Sequence, residues 1–316
     1  MLESKNQNFN HLKIHSQYSI CEGAVKIDEL KDFSKENKIR SLGLCDSNNL
    51  CGALEFAEKI SKIGTQPIIG TQINFKYGDT IGLLQLYALN DDGYKRIIEL
   101  SSLSYLKNDE LSDPHLDLNE LLIKNSGVSL FSGTINGLFG RLFDKGKFTE
   151  IKEVYSKLKS KFNDKFYLEI QRHGDQNEIG FEKFNLDQSL KLKIPLIATN
   201  EVFYIQKEMH EAHDALICIK NKTYVNEKNR EKFSDQHYFK NNTEMSELFK
   251  DLPEALENNY NFPYRCSFRP LFSKPILPNI SSEKGGDAEE IIRKDSLDGL
   301  KDKFEKVFNV EINNIL

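Results

Sequence analysis

Three segments within the first 75 residues constrain the fold more than anything else in the chain. Asn10–Gly23 reads NHLKIHSQYSICEG, Ser41–Phe56 reads SLGLCDSNNLCGALEF, and Gln66–Phe75 reads QPIIGTQINF. Each contains a short apolar run of strand type. Each then places polar groups able to bind a metal or a phosphate where the run ends. In a barrel of alternating strands and helices, chemistry gathers at the carboxyl ends of the strands. The polar residues of all three segments are therefore expected at one end of the fold.

The rest of the first 200 residues continues the alternation. Strand candidates are His11–His15, Ser41–Cys45, Pro67–Phe75, Ile81–Leu89, Gly127–Ser132, Phe166–Gln171 and Ile194–Thr199. Their cores are rich in Ile, Leu, Val and Phe, as suits strands covered on both faces. Helical patterns lie between them at Val25–Glu36, Leu50–Ile63, Ile151–Phe162 and Asp175–Leu192. This repeat predicts an α/β fold with a mostly parallel sheet and right-handed crossovers. Seven strands of this kind either close into a barrel or stay open.

After Asn200 the character changes. Lys207–Ile219, Thr243–Phe249 and Leu252–Asn259 read as helices. Pro263, Pro270, Pro275 and Pro278 then break regular structure, so 263–286 reads as an extended connector. Beyond it, Asp287–Val307 is an amphipathic helix carrying Ile291, Leu297, Leu300, Phe304 and Val307. The expected division is a barrel with C-terminal helices over 1–262, the connector, and the start of a further region over 287–316.

Charge and cysteine content exclude several classes. A net charge of −5 argues against a main nucleic-acid grip, which needs a basic face. The Lys-rich stretch with Lys220, Lys222, Lys228, Arg230 and Lys232 reads as a solvated loop. Five cysteines without a Cys-x-x-Cys pair fit a reducing compartment, and Cys45 and Cys51 bracket a turn without zinc spacing. No apolar stretch spans a membrane and no signal-peptide core opens the chain, so the expected location is the cytoplasm. His11 reads as structural. His210 and His213 lie three apart and read as a helix-surface or interface pair, one residue short of a zinc-protease signature.

The phrases HLKIHSQYS, DSNNLCGALEF and the PIIG turn together resemble the polymerase-and-histidinol-phosphatase (PHP) domain. More narrowly they resemble the PHP region that opens the alpha subunits of bacterial replicative DNA polymerases. The resemblance runs from Phe9 through Ile205, with a further family-like stretch over Glu244–Cys266. It implies a distorted seven-stranded β/α barrel of TIM type, followed by helices and the start of a polymerase palm. An active PHP site holds two or three metal ions on His, Asp and Glu side chains, and paired metals activate water against a phosphoester.

Carried over residue by residue, that ligand set is broken here. Lys13 stands in place of the first histidine, ahead of His15. Glu22 stands for an acidic residue. Asp46 survives, but Ser47 replaces its histidine partner. Gln72, Leu83 and Thr134 replace three further ligands. His173 survives, and Glu201 keeps a carboxylate where Phe203 has lost a histidine. Only His15, Glu22, His173 and Glu201 remain as candidate ligands, with Asp46 in support. The expectation is no bound metal and a degenerate site kept as scaffold, with Lys13 as its central cation and Glu22 or Glu201 beside it.

No hydrolase elbow, Walker loop, dinucleotide fingerprint or acidic palm motif is present. The turn Phe131–Thr134 with Gly137 and Gly140 is Gly-punctuated and reads as a loop. The resemblance implies a DNA-directed DNA polymerase as the parent protein, needing Mg2+ at its polymerase centre, with this region inactive by itself. It implies other subunits of that polymerase as partners, among them a proofreading exonuclease, and DNA contact through parts outside these residues. The alternatives are a free-standing metal-dependent PHP phosphoesterase or 3′–5′ exonuclease, and a pure binding module.

Overall fold

The computed structural model describes residues 8–108, 112–275 and 287–308. Among the described residues, nine strands form one curled sheet: β1 Lys13–Ile14, β2 Ser41–Ser47, β3 Gln66–Tyr77, β4 Thr80–Ala88, β5 Leu116–Asp117, β6 Val128–Phe131, β7 Phe166–Ile170, β8 Leu196–Ala198 and β9 Glu201–Val202. Their order is β8-β7-β6-β4-β3-β2-β1-β9, with β5 paired to β3 off this path. The outermost strands, β8 and β9, are separated in sequence only by Thr199 and Asn200. Three residue steps span at most about 11 Å, so the sheet must curl until its edges meet. The distorted α/β barrel of the sequence reading is thus borne out, with closure carried by the chain itself.

Two features depart from that reading. β4 runs antiparallel to both β3 and β6. The cause is a two-residue Gly78-Asp79 turn with Gly78 at φ +60°, which folds β3 straight back into β4. The strands β5 and β9, each two residues long, were also not expected. β9 matters, because its parallel register puts Glu201 opposite Lys13.

Helices pack on the outside. Ile27–Glu36 and Ala53–Lys62 bury Ile27, Leu30, Phe56 and Ile60 against Ile14, Leu42, Leu44 and Ile69 on the outer face of β1–β3. Phe148–Phe162 and Gln176–Leu192 cover β6 and β7 with Val154, Tyr155, Phe162 and Phe181. Three helices were absent from the sequence reading: Asp91–Leu106, Glu120–Ile123 and Leu138–Asp144. The first begins at Asn90, whose side chain accepts from Gly93 N.

The inner face alternates with period two and changes character along the strands. Ile68, Tyr87, Phe131, Tyr167 and Ile197 fill the lower interior. Gly70 leaves the room that the Tyr87 ring occupies, since a Cβ there would lie 2.5 Å from it. Phe262 plugs this layer, edge-on to Phe131 at 5.1 Å and to Tyr87 at 5.5 Å. Two residues further along β7 stands Glu169, and Gln171 follows just past the strand's end, where the interior turns polar.

The chain divides into two compact units, 1–271 and 272–316. Residues past Pro263 still belong to the first: Gln66 Nε2 donates to the Pro263 and Cys266 carbonyls, and Phe268 packs on Tyr94. The second unit contains the helix Ala288–Phe308, with Ile292 and Val307 exposed. The parts of the expected connector and further region over 276–286 and 309–316 lie outside the described residues.

Candidate functional site

The polar upper interior is centred on Lys13. Its side chain is almost wholly buried, and Nζ lies 2.8 Å from Glu201 Oε1. The same oxygen accepts from His15 Nε2 at 3.1 Å. Burial works against the ammonium, but the Glu201 and Glu169 carboxylates outweigh it and hold Lys13 above the ordinary lysine range. Burial works equally against the Glu201 carboxylate, which Lys13 and His15 nevertheless hold well below the usual range. Glu169 shows the reverse balance. Burial pushes it up, while Lys13 and the Thr199 hydroxyl pull it down less strongly. Its Oε1 accepts from Gln171 Nε2 at 3.0 Å and from Thr199 Oγ1, and its Oε2 has no partner.

The neighbouring positions are engaged elsewhere. Asp46 accepts from Ser16 N, Ser16 Oγ and Ser19 Oγ, each at 2.7 Å, and so pins the loop after β1. Burial pushes its carboxyl up. Ser47 Oγ accepts from Gln72 Nε2 at 2.8 Å. Leu83 sits half-buried in β4 opposite Asn74. Phe203 stacks on His15 at 4.8 Å and on His213 at 5.0 Å, which puts an apolar ring beside His15. Glu22 is not Lys13's neighbour. Its carboxylate lies 3.7 Å from Lys220 Nζ and its carbonyl accepts from His213 Nε2 at 2.8 Å.

A cavity of about 380 Å³ opens beside this centre, lined among others by Thr134, Gln171, His173, Glu178, Glu201 and His237. His173 stacks face to face on His237 at 4.0 Å. His173 Nε2 accepts from Glu201 N at 3.3 Å, so Nδ1 carries the proton and faces Glu178 Oε1 at 3.4 Å. Burial, then the Lys240 charge, pushes His173 down to about 3. Burial pushes Glu178 up to about 7, although its Oε2 accepts from His173 N and Gly174 N.

This sequence matches the PHP domain family over residues 11–173, more than half of its length. The chain belongs to the PHP domain family. It is 35% identical over 313 residues to the DNA polymerase III subunit alpha of Caulobacter vibrioides, covering 96% of this chain and 27% of that protein. It is 35% identical over 304 residues to the Rickettsia conorii protein of the same name, covering 96% and 26%. The chain thus spans about a quarter of the length of these curated relatives. Among solved structures it is similar to an amidohydrolase from Chromobacterium violaceum, with a TM-score of 0.43 at 10% identity, over 61% of this chain and 87% of that one.

The eleven positions that the resemblance carries over separate into four sets. Lys13 and His15 both contact Glu201. His173 and Thr134 line the adjoining cavity, and His173 touches the same centre through the Glu201 backbone. Asp46, Ser47 and Gln72 form their own hydrogen-bonded patch, while Glu22, Leu83 and Phe203 make other contacts. Among the described residues no three His, Cys, Asp or Glu side chains are grouped so as to hold a metal ion.

Sequence reasoning missed Glu169, Glu178 and His237. Glu169 had a signal, since it is the lone charge inside the apolar strand FYLEI. His237 sits in an irregular segment without a motif and offered none. His213, expected in a helix-surface or interface role, is buried and stacked on Phe203. His11 is structural as expected, donating from Nε2 to the Lys240 carbonyl at 2.8 Å. Two cations of the Lys-rich stretch are neutralised, Arg230 by Asp214 and Lys220 by Glu22.

Proposed function

We propose that this PHP domain is the N-terminal region of a replicative DNA polymerase III alpha subunit, retired from hydrolysis and retained as scaffold and docking platform. The observation that carries the reading is the Lys13–Glu201 pair at the centre of a chain 35% identical to such subunits. An ammonium takes the position of a ligand and supplies the positive charge that a metal would bring. The residues present do not fit a two- or three-metal cluster. Lys13 and His15 share one Glu201 oxygen, Asp46 is consumed by serines, and Phe203 fills a ligand's place.

On this reading the polymerase chemistry, its Mg2+ and the grip on DNA belong to parts of the parent protein outside these residues. The docking partners are other subunits of the same cytoplasmic assembly, a proofreading exonuclease among them. Neutralised cations around Asp214 and Glu22 support a protein-facing role over a nucleic-acid one. Two measurements test it. The purified chain should give no template-dependent primer extension; extension that survives further purification overturns the proposal. After dialysis it should hold no zinc, manganese or iron; two or more equivalents per chain count decisively against Lys13 as the metal's replacement.

A further inference from the structure

A second concave site lies at the amino ends of β1 and β2, away from the Lys13 centre. It is a cavity of about 170 Å³ between the segment before β1, the end of the helix Ile27–Glu36 and the segment around Phe239. Its walls are aromatic. His11 packs on Phe239 at 3.9 Å and edge-on to Phe9 at 5.2 Å, and Phe33 meets Phe239 edge-on at 5.0 Å. An apolar cavity of about 150 Å³ is enough to hold benzene, so this one has room for one six-membered ring.

Its charge is equally particular. The protein carries 48 acidic residues and a net charge of −5, yet among the described residues no acid lines this cavity. Arg40 is among its lining residues, is exposed, and makes no ion pair among the described residues. Asn242 spends its Oδ1 on Phe9 N, which leaves its amide N–H groups to a ligand at the rim. His11 donates from Nε2 to Lys240, so its buried Nδ1 is a bare acceptor without a partner. Burial pushes this ring down to about 3, so it stays neutral and serves as a stacking wall.

We infer that this cavity binds a single-ring aromatic carboxylate, with the ring among Phe9, His11, Phe33 and Phe239 and the carboxylate on Arg40. A planar guanidinium takes a carboxylate through two parallel hydrogen bonds, and aromatic walls take the ring edge-on or offset. The site shares no residue with the Lys13 centre, so it stands whether or not the domain is a polymerase scaffold.

The probe is benzoate, titrated into the 15N-labelled protein and followed by amide shifts and saturation-transfer NMR. A ligand this small should saturate with a Kd of about 1 mM. Shifts should centre on Asn37, Phe239 and Asn242 and leave the Glu201 region unmoved. Benzyl alcohol, the same ring without the charge, should bind at least about tenfold more weakly, and Arg40→Gln should weaken benzoate by a similar factor. Equal binding of benzyl alcohol, unchanged benzoate affinity in R40Q, or no saturable shift up to about 10 mM overturns the assignment. The benzyl alcohol comparison uses the unmodified protein, so the result does not depend on the variant folding.

Discussion

The lower and upper halves of the barrel interior are built from the same strands, two residues apart, yet they are held together by different physics. The lower half is a plug of rings, with Phe262 edge-on to Tyr87, Phe131 and Tyr167, and Phe131 edge-on to Tyr167 and tilted against Tyr87. The upper half is a charge balance, with Lys13 between Glu201 and Glu169 and a rim of amides. Several upper groups keep an unused hydrogen-bonding atom, among them Gln72 Oε1, Gln85 Oε1 and Glu169 Oε2. The lower half has the saturation of a core. On the proposed reading, the upper half is a site whose metal has been replaced by one side chain, Lys13.

The sharpest way to break this comparison is to remove a ring from the plug. Phe262→Ala deletes a fully buried side chain that touches three other rings, and a Phe→Ala change in such a place costs about 3–5 kcal/mol. Urea unfolding of the variant should show the loss. A cost near that of a surface change, about 0.5 kcal/mol, would mean that the plug adds nothing the strands lack.

The second test strikes the upper half. Lys13→Met leaves Glu201 buried without its cation, and breaking a buried pair costs about 3–5 kcal/mol when the partner stays charged. The pH dependence fixes the sign. Glu201 is held below its unfolded value, so its contribution is present above the ordinary glutamate range and lost as pH falls through the lower folded value. In the variant Glu201 loses Lys13, the stronger of the two groups that hold it down, and protonation relieves it. The stability gap between parent and variant should therefore narrow on acidification. A thermal melt of K13M indistinguishable from the parent at neutral pH would sink the idea that Lys13 stands in for a metal.

These two halves were unequally legible in the sequence. The strands could be located because Ile, Leu, Val and Phe runs mark elements covered on both faces. Their directions could not, because an apolar run carries no sense of orientation, and the Gly78-Asp79 turn that reverses β4 was passed over. The helix Asp91–Leu106 escaped because its serines blur the apolar period. Lys13 and Glu201 were found because they occupy positions where other residue types were expected. Their direct contact required β9, a strand too short to leave a periodic signal, since register alone brings the two together. His237 acts through burial and stacking, which no local pattern encodes, whereas Glu169 left one trace, a lone charge inside an apolar strand.

The smallest expected effect sharpens the boundary between the upper half and its cavity. Burial raises Glu178 to about 7, so the folded protein binds a proton there that the unfolded chain has released. Where the native state holds more protons, stability falls as pH rises. The parent should therefore lose stability between about pH 4.5 and 7 through this one group. Glu178→Gln keeps an oxygen for the His173 and Gly174 amides and removes the titration. Its stability curve should be flatter than the parent's across that window, with the difference favouring the variant at the upper end. Part of the gain is offset because the Gln amide cannot serve as a second acceptor for His173 Nδ1. Parallel pH–stability curves for parent and variant would show that Glu178 titrates as a solvated surface carboxylate, and that the cavity is wet enough to belong with the surface rather than the interior.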